Sequence, residues 1–117
     1  MNVTLKKVGV ILMNQIIQDQ LNKISERLKK EYHAERVILY GSYANGKATQ
    51  DSDIDLFIVA PTNESLFKRM TTVLKLIRDL KKGIPVEPII LTKDELEDRI
   101  KIGDPFIQEI IRNGVSL

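Results

Sequence analysis

Leu12, Ile16, Ile17, Leu21, Ile24 and Leu28 recur at helical spacing with polar residues between them, which predicts an amphipathic helix over 12–31. The period then changes. RVILY at 36–40 is β-branched and apolar and is stopped by Gly41, so it predicts a strand. Residues 42–46 suit a first helical turn, and 47–52 read as loop. DIDLFIV at 53–59 alternates polar and apolar at its start and then becomes wholly apolar. That pattern predicts a strand whose first residues face an open site.

A second amphipathic helix is expected over 63–82. Leu66, Met70, Val73, Leu74, Ile77 and Leu80 form its stripe, Thr62 or Asn63 its cap and Gly83 its stop. PVEPIIL at 85–91 predicts a third strand, and Pro88 inside it argues for an edge position or a bulge. Thr92 and Glu95 make a T-x-x-E capping box that opens a short helix to 99. Asp104 caps a last helix over 105–112, closed by Asn113-Gly114. The order gives an α/β (α+β) fold class, a small mixed sheet with helices packed mainly on one face.

The 117 residues suit a single domain over 1–117, with 1–11 as an extended or flexible leading segment. The net charge of +2 is too small to argue for nucleic acid, and the basic residues are dispersed apart from pairs such as Lys29-Lys30 and Lys81-Lys82. The absence of cysteine excludes disulfides and thiolate metal sites. The apolar run after Lys6-Lys7 is brief and no small-residue cleavage site follows it. No segment is long enough to span a bilayer. A cytoplasmic protein is expected.

The chemistry concentrates in GSYANGKATQDSDID at 41–55, a long polar connection between two apolar runs. Most connections are shorter. Asp53 and Asp55 are two apart, so on a strand their carboxylates share a face while Ile54 points into the core. Two ionised carboxylates so close raise each other's pKa, and a bound divalent cation relieves that cost. Hard cations such as Mg²⁺ favour carboxylate and phosphate oxygens. Gly41-Ser42, turning out of a strand into helix, offers backbone N–H groups and a hydroxyl to an anion. Glu87 is the candidate third carboxylate, if its strand neighbours 53–59. Two metals about 3.5–4 Å apart would then clamp an in-line phosphoryl displacement.

Gly41, Ser42, Ala44, Gly46, Ser52, Asp53 and Asp55 resemble, in type and spacing, the signature of the DNA polymerase beta-like nucleotidyltransferase superfamily. The stretch after it, through IPVEPIIL to FIQEIIRNGVSL, looks like the small stand-alone members, the minimal nucleotidyltransferases or MNT proteins. The resemblance covers 20–117, and its specific part is the central motif. It implies two Mg²⁺ ions, with Mn²⁺ as a substitute, held by Asp53, Asp55 and a third acid. Aspartate is common at that third position and this chain has Glu87. It further implies ATP or another NTP on Gly41 and Ser42, and transfer of a nucleoside monophosphate to a hydroxyl acceptor with release of pyrophosphate. Small members are commonly paired with a helical HEPN-type protein, for which they act as antitoxin. By that resemblance acceptor specificity comes from such a partner or from a second copy of the chain. A non-catalytic binding module and a stand-alone transferase for small molecules are the alternatives.

Other polar residues have plainer readings. Asp51 is a loop acid pointing away from the site, and Lys47 an exposed loop lysine. His33 ends a helix in a solvated or capping role. Lys75, Arg78, Lys81 and Lys82 make a wet helix face, and the apolar residues at 8–13 are a candidate interface. Nothing in the sequence assigns an aromatic or hydrogen-bonding pair to a nucleobase.

Overall fold

The computed structural model describes residues 15–117. The leading segment and the apolar residues at 8–13, with Leu12, lie outside them. The elements are α1 (Gln15–Glu31), β1 (Arg36–Tyr40), α2 (Ser42–Asn45), β2 (Ile54–Val59), α3 (Leu66–Leu76), α4 (Arg78–Lys81), β3 (Val86–Leu91), α5 (Lys93–Lys101), α6 (Pro105–Asn113) and β4 (Val115–Ser116). The four strands form one mixed sheet in the order β3-β2-β1-β4. β1 runs antiparallel to β2 and β4, and β2 runs parallel to β3. Among the described residues no helix is long and apolar enough to cross a membrane.

The sheet is covered on both faces. The larger layer packs Leu21, Ile24 and Leu28 of α1 and Val73 and Ile77 against Val37, Leu39, Ile54, Leu56 and Ile58. This is the helical face that the periodicity predicts. The opposite face carries a smaller core, in which Leu96, Ile107 and Ile110 of α5 and α6 cover Ile38, Phe57, Val59 and Leu91. Strand alternation therefore assigns odd positions of β2 to the α5–α6 side and even ones to the α1–α3 side. Pro88 lies on β3, which among the described residues pairs only with β2, so its missing N–H interrupts no second ladder there.

The second predicted helix is two helices. Arg27 of α1 donates to the Leu76 carbonyl at 3.1 Å, and the Leu80 N–H bonds to Ile77 O instead, at 2.9 Å. The capture of that carbonyl accounts for the break at Ile77. Its N-cap is Ser65, whose hydroxyl accepts from the Lys68 N–H, whereas Thr62 is spent on the turn before it, accepting from Glu64 N–H. The expected stripe also shifts. Leu66 and Met70 are exposed, and Arg69 is buried in their place. Arg69 makes a bidentate pair with Glu95 at 2.7 and 3.1 Å and donates to Ile90 O and Glu64 O. It pins α3 to the end of β3. Glu95 closes the predicted capping box with Thr92 as well. At the end of α1, His33 adopts a left-handed backbone, φ 59. β4 is absent from the periodic reading because two residues carry no period.

Candidate active site

The site forms where β1 ends and β2 begins, on the α5–α6 side of the sheet. Asp55 is the one position of β2 that is not buried. It stands between Tyr40 of β1 and Glu87 of β3, its register partners on the two sides. The parity of the strands puts all three side chains on one face. Asp53 immediately precedes β2, and the buried Ile54 between the two aspartates enters the core as expected. Parallel pairing of β2 and β3 thus brings Glu87 beside Asp55, as the sequence required for a third carboxylate.

Gly41 joins this acidic rim to the turn that follows β1. Its backbone has φ 75 and ψ −152, a region that side-chain-bearing residues avoid. A Cβ there would overlap Asp55 Oδ2, so the aspartate lies directly against the glycine backbone. The Gly41 carbonyl accepts from the Ala44 and Asn45 N–H groups at 3.0 and 3.1 Å, which starts α2. The first N–H groups of that turn have no intrahelical partner. Tyr43 and Ala44 are buried, and Gly46 ends the turn in a left-handed conformation. Ser52, a motif residue without an assigned role in the sequence, shapes the loop. Its hydroxyl accepts from Thr49 N–H at 2.8 Å and so fixes the turn that delivers Asp53.

The electrostatics follow from this crowding. Burial raises the Asp55 pKa above the usual carboxylate range, and the charges of Glu87 and Asp53 raise it further. Burial, with Asp55 and Glu87 nearby, pushes the Tyr40 phenol up to about 12, so it stays neutral. Among the described residues, no three acidic or histidine side chains stand together as a finished metal set. The donors nevertheless suit a hard divalent cation. They are all carboxylate oxygens, two of them are in register, and their mutual repulsion is what a cation neutralises.

Beside Gly41 a cleft of about 390 Å³ opens between α2 and α6. Tyr40 and Phe106 form its apolar wall, with ring centroids 5.6 Å apart and planes at 85°. Asn45, Glu109 and Asn113 line it too. Sequence reading missed this cleft, since Phe106 and Tyr40 meet only through the fold.

Comparison with known proteins bears on the same residues. The Nucleotidyltransferase domain family matches residues 21–115. A chain of Methanocaldococcus jannaschii named "Putative protein adenylyltransferase" is 30% identical over 99 residues, 85% of this chain and 91% of that one. Another of the same name and organism is 33% identical over 105 residues, covering 88% and 96%. A crystal structure of a Sulfolobus solfataricus protein described as a "putative nucleotidyltransferase" aligns over 95% of this chain and 84% of its own, with TM-score 0.49 and 21% identity. The family match spans the Gly-Ser turn, both aspartates and Glu87, and the chain belongs to the nucleotidyltransferase domain family.

Proposed function

We propose that the protein transfers AMP from ATP to a hydroxyl group of a protein acceptor. The observation that carries this reading is the packing of Asp55 on the Gly41 backbone, which joins the carboxylates and the Gly-Ser turn in one site. Gly41 and Ser42 hold the β- and γ-phosphates through backbone N–H groups and the Ser42 hydroxyl. Asp53, Asp55 and Glu87 would hold divalent cations, Mg²⁺ or Mn²⁺, which when bound neutralise the triphosphate and activate the acceptor hydroxyl. The acceptor oxygen bonds to the α-phosphorus and the bond from that phosphorus to the bridging oxygen breaks. Pyrophosphate leaves with that electron pair. Glu87, exposed where Asp55 is half-buried, takes the acceptor proton. Most of the rate comes from positioning and charge neutralisation.

The names of the two relatives support adenylyl transfer and a protein acceptor. A HEPN-type helical protein is our preferred acceptor and partner, with this chain as its antitoxin. The test is transfer from α-labelled ATP, with Mg²⁺ or Mn²⁺, in the presence of candidate partner proteins. Label on a protein that disappears with Asp53→Asn/Asp55→Asn supports the reading. Label on a small molecule would replace the acceptor class. No label from any NTP, with the partner still bound equally by wild type and mutant, would leave a binding module.

A further inference from the structure

We infer that the cleft between α2 and α6 is the nucleobase site and that it favours adenine. The inference rests on the phosphate reading of Gly41-Ser42 and adds the specificity that reading lacks. Gly41 lines the cleft and also contacts Asp55, so one residue borders both the phosphate turn and the cavity. A nucleotide held by its phosphates at Gly41 directly adjoins this cleft. The volume, about 390 Å³, is within the range of small-molecule sites.

The walls match a base in kind. Phe106 is 42% exposed although it packs edge-to-face with Tyr40, which leaves ring surface for stacking. Stacking on an aromatic ring suits any base and selects none. Selection comes from the polar side. The Asn113 amide donates to Glu109 Oε1 at 2.7 Å, which holds the carboxylate at the cleft and leaves Oε2 as an acceptor. Asn45 Oδ1 accepts from the Lys47 N–H at 3.1 Å, so its Nδ2 is the donor on offer. Adenine presents an exocyclic amine beside a ring-nitrogen acceptor, which complements a carboxylate and an amide donor. Hypoxanthine replaces that amine with a carbonyl oxygen, which the carboxylate repels.

Equilibrium binding of ATP, ITP and inorganic tripolyphosphate to the full chain, with Mg²⁺ present, tests this. Wild type is expected to bind ATP about tenfold or more tighter than either of the others. Phe106→Ala should lose about tenfold for ATP while holding tripolyphosphate as before. Glu109→Gln, an exposed and near-isosteric change whose folding circular dichroism verifies, should bring ATP and ITP close together. Equal binding of all three by wild type overturns the base site and leaves the phosphate turn standing. Wild-type affinity for ATP in both variants overturns it as well. Failure to bind either ATP or tripolyphosphate overturns the phosphate reading with it.

Discussion

Replacing Gly41 with alanine is expected to damage the site far beyond the size of one methyl group. The backbone there, φ 75 and ψ −152, is glycine territory, and holding another residue in it costs about 1–3 kcal/mol. The added Cβ would also overlap Asp55 Oδ2 and lie 3.3 Å from its Cγ. The carboxylate must rotate away, and it has little room, with Tyr40 and Glu87 as its neighbours in register. For a chain of this length, a loss of about 1–3 kcal/mol lowers Tm by about 4–15 °C. Displacing Asp55 by about 1 Å costs about a hundredfold in transfer rate. Gly46 supplies the comparison. It has φ 77 and ψ 14, and a Cβ there meets nothing within 4 Å. Asparagine tolerates that left-handed conformation, so Gly46→Asn should remain within about 1 kcal/mol of wild type and keep its activity. Thermal melts and labelled-AMP transfer on the two variants decide the matter. If Gly41→Ala melts and transfers like wild type, or if Gly46→Asn is equally damaged, the contact with Asp55 does not organise the site.

Asp55→Asn should abolish transfer yet raise Tm at neutral pH in metal-free buffer. Its folded pKa is raised, so the ionised form opposes folding there, and a lower Tm in the variant would contradict this. Glu95 has the opposite sign: Arg69 holds its pKa down at about 2, against an ordinary 4.5. Its contribution is complete above pH 4.5 and is lost as pH falls toward 2. The full shift corresponds to about 3 kcal/mol, and screening of a side chain that is 40% exposed reduces it to about 1 kcal/mol. Denaturant melts of Glu95→Gln should show a flatter acid limb than wild type; parallel curves would refute the assignment. Gly114→Ala would drive a Cβ into Ile38 Cγ2 and to 2.5 Å from the Ile110 carbonyl, so chemical denaturation should show a loss of about 1–3 kcal/mol.

The parts of this fold that the sequence made legible are those with a period or a cap. Leu21, Ile24 and Leu28 are fully buried as the helical spacing required, and Thr92 and Glu95 form the capping box their spacing announced. The acidic rim was legible in part: the D-x-D spacing marked Asp53 and Asp55, while Glu87 joins them only through the pairing of β2 with β3, and Asp53 lies just before the strand rather than on it. The rest depends on contacts between distant residues. Arg69 reads as a polar residue beside an apolar stripe, and its pairing with Glu95, with its bonds to the Ile90 and Glu64 carbonyls, offsets the cost of its burial. The break at Ile77 depends on Arg27, which lies on another helix. The cleft needs Tyr40 of β1 and Phe106 of α6 to meet on one face of the sheet, a meeting no local pattern encodes.

β2 explains why the site is both precise and costly to the fold. Every residue of that strand except Asp55 is buried, and both of its edges are paired. A carboxylate on such a strand cannot relax by moving its backbone, so its burial, with the charges of Glu87 and Asp53 added, appears as a raised pKa rather than as displacement. The same rigidity keeps Asp55 against Gly41, where a more mobile loop would let it swing into water. A rigid strand carrying an acid that opposes folding is the arrangement expected where position matters more than stability. Ser52 extends the argument to Asp53, which lies just before the strand and lacks its ladder. The Thr49–Ser52 turn supplies there the fixation that pairing gives Asp55. Ser52→Ala should therefore slow transfer while leaving the unfolding free energy within about 1 kcal/mol of wild type, whereas loss of both would make Ser52 a residue of the fold alone.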